Sequence, residues 1–192
     1  MNLIERIKAV LLQPKSEWLV IEREPGDAGY LFTNYVVILA AIPPVCAFIG
    51  GTLIGYGPFR IGIFSGLIHA IVIYVLTLVG VFVTTYIIDY LAGMFGGQKN
   101  LDNAMRVSAY APTAAWLCGI FNLIPMLSIL GLLGLYSLYL LHTGLTALMR
   151  PAADKALFYT IAVVVCMVVI WFVIVGILAA IFGFGMMMQP QI

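Results

Sequence analysis

Charge is what this chain of 192 residues has least of. Only 9% of it is Asp, Glu, Lys or Arg, against about a quarter in a soluble domain. Nine basic and eight acidic residues leave a formal charge of +1, so there is no basic face to meet a phosphate backbone and nucleic acid is not an expected partner. Cysteine is scarce as well. Cys46, Cys118 and Cys166 fall in three separate apolar runs. No CxxC or Cys/His cluster accompanies them, which argues against a zinc or redox site and makes them small buried hydrophobes. The sequence has no GxSxG, HExxH, Walker loop or Gly-rich dinucleotide fingerprint. It therefore reads as non-enzymatic, with no catalytic residue, no metal and no cofactor expected. The first 29 residues carry charges throughout (Lys15, Glu17, Glu22, Arg23, Glu24). That pattern lacks the apolar core of a cleavable signal peptide.

What remains is apolar: 64% of the residues are hydrophobic, in runs long enough to cross a bilayer, which takes about 20 residues. The reading is an all-α, polytopic transmembrane bundle of five spans at 30–54, 61–91, 104–121, 126–149 and 156–182. Residues 1–29 form a cytoplasmic interfacial segment, 30–186 the transmembrane domain, and 187–192 a short tail. In the first segment Leu3, Ile4, Ile7, Val10 and Leu11 recur at helical spacing, which predicts an amphipathic helix lying flat on the membrane. Pro14 ends it. Pro43 and Pro44, Pro112 and Pro125 mark kinks or breaks. Turns are expected at 25–27 and 55–58, and Asn100 or Asp102 is a cap for the third span.

Few residues could carry chemistry. Inside the spans the ionisable groups are His69, Asp89 and His142, and no carboxylate lies near a midplane. Gly62, Gly66, His69, Thr77, Gly80 and Thr84 project to one side of the second span, with Tyr74 opposite. This stripe, with His142 on the fourth span, is a helix-packing seam or the wall of a polar path. Ser128, Gly131, Gly134 and His142 share a second small-residue face. Asp89 is expected to pair with Lys99, Arg106 or Lys155 at the cytoplasmic surface. No internal repeat is apparent, which counts against an inverted-repeat transporter.

Several short patterns resemble the Yip family, five-span relatives of the eukaryotic Ypt/Rab-interacting proteins, in its bacterial inner-membrane branch. The first is Leu12, Pro14, Glu17, Trp18, Ile21 and Glu24. The others are the run 41–50 around Pro43-Pro44, Ala109-Tyr110-Ala111-Pro112 followed by Leu123-Ile124-Pro125, and 132–141 followed by Gly144-Leu145. The resemblance implies a multi-pass protein of the bacterial inner membrane that organises or assists other membrane components. Pro14, Glu17, Trp18, Ile21 and Glu24 are then the partner segment. The implied partners are membrane lipids, other membrane proteins or a second copy of the chain. Small-GTPase binding is not supported, because the YGPF at 56–59 follows the first span, whereas the family's similar signature precedes it. The rival reading is a transporter or lipid-translocating protein with a polar path between kinked helices.

Orientation follows from charge. Arg6, Lys8, Lys15, Arg23, Lys99, Arg106, Arg150 and Lys155 fall on one side of a five-span chain and only Arg60 on the other. Basic residues stay cytoplasmic, so the N-terminus is expected inside and the C-terminus outside. Reporter fusions after Met149 and at the C-terminus should report opposite sides of the membrane. The same side for both would refute the five-span topology.

Overall fold

A computed structural model describes residues 2–25, 27–55 and 60–182, and helix is the only regular structure among them. Gly26, the YGPF at 56–59 and the tail 187–192 lie outside the described residues.

The chain opens with two short helices, α1 (Leu3–Leu12) and α2 (Pro14–Arg23). The Asn2 side chain and Glu5 form a reciprocal capping box on α1, satisfying donors that the first turn leaves free. Pro14 occupies the first turn of α2, where its missing N–H is not needed. The chain then makes a first long pass, α3 (Ala28–Ile54), capped by Asp27, whose Oδ1 accepts from the Tyr30 amide at 2.9 Å. This helix breaks at Ala41, because Pro43 and Pro44 supply no amide to the preceding turn. The second pass, α4 (Ile63–Met94), is unbroken over 32 residues. That is about 48 Å at 1.5 Å per residue.

The third pass is built differently. It consists of α5 (Leu101–Tyr110), a turn at Pro112, α6 (Thr113–Cys118) and a 3-10 stretch, Gly119–Leu123. Asn100 caps α5 by accepting from the Asn103 amide at 3.0 Å. Residues 104–111 are buried without exception, so this broken segment is the core of the molecule. The fourth pass, α7 (Met126–Met149), begins as a long 3-10 helix over Pro125–Leu135. The fifth is α8 (Ala156–Phe182).

Contacts give the direction of each pass. Along α3, Tyr35 meets Thr113 and Tyr110, Pro43 lies against Gly119, and the carbonyl of Asn122 comes up against Gly50. The third pass therefore runs parallel to the first. Tyr159 donates to the Ile88 carbonyl at 2.6 Å and Ile170 lies over Gly80, so α8 runs antiparallel to α4. The two loops at that end are tied together: the Gln98 amide donates to Met149 at 2.8 Å and the Ala152 amide to Phe95 at 3.1 Å. The chain thus passes five times along the bundle. Four of the helices, α3, α4, α7 and α8, are long and apolar enough to cross a membrane. The third pass is interrupted at Pro112 and has no single helix of that length.

Large apolar side chains point outward from these helices. Phe64 is 84% exposed, Met126 89% and Phe172 63%. In water such faces would drive aggregation, and hydrocarbon is the solvent they match. In the 3-10 stretch the sequence runs in triplets, Met-Leu-Ser, Ile-Leu-Gly, Leu-Leu-Gly, Leu-Tyr-Ser. Three residues per turn set equivalent positions above one another, so Ser128, Gly131, Gly134 and Ser137 form one straight column. Ala115 fits against it: its Cα is 3.0 Å from where a Cβ on Gly134 would lie, and its amide donates to Ser137 Oγ at 2.9 Å.

The α1–α2 hairpin packs alongside α7. Tyr136 donates to the Leu11 carbonyl at 2.9 Å, the Trp18 indole to Thr143 at 3.0 Å, and Arg150 to Glu22 at 2.6 Å. Those contacts climb about 21 Å along α7. The apolar stripe of α1 faces protein, with Val10 1% exposed and Leu3, Ile7 and Leu11 packed on the core. Amphipathic spacing requires an apolar partner, and here a helix face supplies it.

The close approach of Pro43 to Gly119 is testable. A Cβ on Gly119 would lie 2.6–2.8 Å from three Pro43 atoms, one of them backbone, whereas nothing lies within 4 Å of one on Gly131. Gly119→Ala is expected to destabilise the bundle by about 1–3 kcal/mol through overpacking, and Gly131→Ala to be tolerated. Thermal unfolding of both variants in one detergent decides the matter, and equal melting would disprove the packing.

Candidate functional site

The charged residues that the composition makes so rare gather where the hairpin meets the bundle. Arg6, 6% exposed, donates through its two terminal nitrogens to the carboxylates of Glu17 and Glu24. Its guanidinium also sits 5.6 Å from the centre of the Tyr110 ring. Burial alone would lower the pKa of Arg6. The hydrogen bond to Glu24 and the surrounding negative charge outweigh that and raise it, so this guanidinium is charged at every pH the protein meets.

Arg106, from α5, reaches up to the carbonyls of Ile21 (2.9 Å), Glu22 (3.0 Å) and Glu24 (2.6 Å). The last carbonyls of a helix have no partner within it, and a cation there also suits the helix dipole. Arg106 thus closes the C-terminus of α2. Arg150 ends α7 in the left-handed region (φ 47°), which non-glycine residues seldom adopt, and its guanidinium bonds Glu22 from the far side.

Below these charges lies an aromatic layer. Trp18, 1% exposed, packs edge-on to Tyr110 with centroids 6.2 Å apart. Its ring lies so near Gly144 that a Cβ there would be 2.7 Å from it. Tyr35 crosses Tyr110 at 4.6 Å, and its hydroxyl lies 2.8 Å from Thr113 Oγ1. Beside this layer a cleft of about 620 Å³ opens between the hairpin, the start of α3 and α5. Arg6, Arg106, Glu24, Asp27 and Asp102 line one part, and Leu31 and Ile38 another.

Pro14, Glu17, Trp18 and Ile21 of the expected partner segment are buried, and Glu24 is half-buried. These side chains fasten the hairpin, and their exposed neighbours include Leu12, Lys15, Leu19 and Val20. The expected seam on α4 is divided. Gly66 is buried against Thr52 and Phe48, Thr84 is buried, and Gly80 meets Ile170. Gly62 is exposed ahead of the helix, and Thr77 bonds its own helix at Ile73. His69 is half-buried, and His142 Nδ1 lies 2.8 Å from Thr160 Oγ1 of α8. Tyr74 does not face away from the bundle, since its hydroxyl donates to the Val37 carbonyl at 2.9 Å.

The expected pairing of Asp89 with Lys99, Arg106 or Lys155 does not form. No ion pair among the described residues includes Asp89. Arg106 is drawn to the carbonyls at the end of α2, and the Lys99 ammonium lies 5.4 Å from the Tyr90 ring centre. Of the four kink prolines, Pro43 and Pro44 follow the break in α3, Pro112 separates α5 from α6, and Pro125 starts the 3-10 stretch. Reading the sequence alone missed Tyr35, Tyr110, Thr143 and Arg6 as one assembly. Its one trace was Tyr110, which already stood in a noted motif.

The clamp predicts its own failure. Arg6→Met leaves Glu17, only 8% exposed, without a counter-charge, at a cost of about 3–5 kcal/mol. The double change Arg6→Met with Glu17→Leu should recover most of that. Unfolding in detergent and protease cleavage within residues 2–24 measure both effects, and a double variant as weak as the single would disprove the pairing.

Comparison with known proteins gives a consistent picture. The Yip1 domain family matches residues 8–175. Two curated relatives, both described as inner membrane protein YohC, come from Escherichia coli K12 and Escherichia coli O6:H1. Each is 33% identical over 119 residues, which cover 59% of this chain and 61% of the relative. The match thus spans about three-fifths of the relatives' own length, and their description names no reaction. No solved structure gives a significant match.

Proposed function

The chain belongs to the Yip1 family of membrane proteins, and from that premise we propose that it is a non-catalytic protein of the bacterial inner membrane that organises or assists other membrane components. The N-terminus and the hairpin face the cytoplasm and the C-terminus lies outside.

The observation that carries this reading is the division of the surface. The outward faces of α4, α7 and α8 are apolar, while the charged groups collect at one end and are spent on holding a hairpin in place. Tyrosines are consistent with an interface at that end. Tyr86 and Tyr90 on α4 and Tyr136 and Tyr139 on α7 are all exposed, as interfacial aromatics are. The 3-10 stretch rises about 22 Å at 2.0 Å per residue, and four more residues to Tyr139 bring the total to about 28 Å. The hydrocarbon core is about 30 Å thick. The ends of α4 and α7 then protrude into the cytoplasm, and the hairpin packs on the protruding part with Leu12 and Lys15 at its tip, level with the headgroups.

A polar path would need the seam residues to open onto a shared cavity. Of these, Thr77 instead bonds its own helix at Ile73 and His142 lies against Thr160 of α8, which favours the organising role.

Photo-crosslinkers at Leu12 and Lys15 in native membranes are expected to capture a reproducible set of neighbours. Trp18→Ala, which loosens the hairpin, should change that set and reproduce any phenotype of deletion, while His69→Gln and His142→Gln should not. Loss of a transport signal on either histidine change, in a chain that still folds and inserts, would replace the organising role with the polar path.

A further inference from the structure

The cleft beside the hairpin changes character along its length. Its upper part holds Arg6, Arg106, Glu24, Asp27 and Asp102. Asp27 caps the first turn of α3, and Ile38 lies eleven residues further along the same helix, about 16 Å deeper. Between them the lining passes through Tyr30 and Leu31. Ile38 is 48% exposed on the side facing hydrocarbon. Phe32 packs tilted against Phe82 of α4 with ring centres 4.5 Å apart, and Phe82 lies one turn from Tyr86, the first of the interfacial tyrosines. The cleft therefore straddles the plane between headgroups and acyl chains.

Two features of the charged part indicate what would fill it. The buried guanidiniums commit only some of their N–H groups to protein. Arg6 uses its terminal nitrogens once each, for Glu17 and Glu24. Arg106 spends its bonds on α2 carbonyls and Asn103. Donors remain on both for a strong acceptor such as a phosphate oxygen. Around them three carboxylates stand against two guanidiniums, so a ligand carrying only negative charge is disfavoured and one with a cationic group is favoured.

We propose that this cleft binds the headgroup of a zwitterionic phospholipid bearing a primary ammonium, of the phosphoethanolamine type. The phosphate lies against Arg6 and Arg106, the ammonium donates to Asp27 and Asp102, and an acyl chain leaves past Leu31 and Ile38. A trimethylammonium headgroup fits the charge but has no N–H to donate, and a phosphoglycerol headgroup lacks the cation. The inference rests on the interface placed above and not on the organising role.

The test is native mass spectrometry of the full chain in detergent, with phosphatidylethanolamine, phosphatidylcholine and phosphatidylglycerol at equal concentrations and soluble glycerophosphoethanolamine as a fourth probe. Retention of the ethanolamine lipid is expected to exceed that of the other two lipids by roughly tenfold, the worth of one charge-assisted hydrogen bond. The combined change Asp27→Asn and Asp102→Asn keeps the helix cap, since Asn caps as well as Asp, and should abolish that preference without altering melting. Equal retention of the three lipids overturns the proposal. So does an unchanged preference in the variant, or binding of the soluble probe as tightly as of the lipid, which would remove any role for the apolar half.

Discussion

Arg106 holds the two halves of this molecule together. The α2 helix ends with carbonyls that its own turns leave short of donors: Ile21 accepts a long bond from the Glu24 amide at 3.4 Å. One guanidinium from the start of the third pass satisfies them. Without it the part-buried carbonyls of Glu22 and Glu24 would lose this donor, at about 1–3 kcal/mol for each group left unpaired. The other charges follow from that contact. Once α2 is seated, Glu17 and Glu24 converge on Arg6, Glu22 meets Arg150, and Trp18 drops onto the bare backbone at Gly144. A chain with so few charges places most of its ion pairs at one joint.

The third pass explains why the joint can exist. A straight apolar helix would offer the hairpin only side chains suited to lipid. Breaking the pass at Pro112 keeps α5 polar enough to carry Arg106, Ser108 and Asn103, and residues 104–111 are buried in protein. The long apolar helices α3, α4, α7 and α8 then shield this polar segment. Its bonds, such as Thr85 to Ser108 at 2.5 Å, form in low dielectric, where leaving them unmade would be costly.

Much of this was legible in the sequence, because hydrocarbon imposes length. The boundaries of α7 and α8 fall at 126–149 and 156–182 as read from hydropathy, and those of α4 within three residues. The prolines mark the breaks because a missing amide acts locally. What the sequence left open was choice of partner. The stripe on α1 could face lipid or protein, and only the position of Trp18 against Thr143 decides. Asp89 and Arg106 were matched by charge and proximity along the chain, yet guanidinium geometry fits several carbonyls better than one carboxylate. Tyr74 was assigned by its angle on the helix, but its long side chain reaches around to Val37.

The triplet stretch of α7 carries a constraint of its own. At three residues per turn, Ser128, Gly131 and Gly134 stay in line, with Ala115 against Gly134 and Ser137. Deleting one residue would swing everything before the gap by a third of a turn, replacing the small column with leucines. Deleting a whole triplet would leave the column aligned and shorten the pass by about 6 Å. Steps of three residues are therefore the changes in length that keep the same face of this crossing turned toward Ala115, each a discrete change in the bilayer thickness it matches.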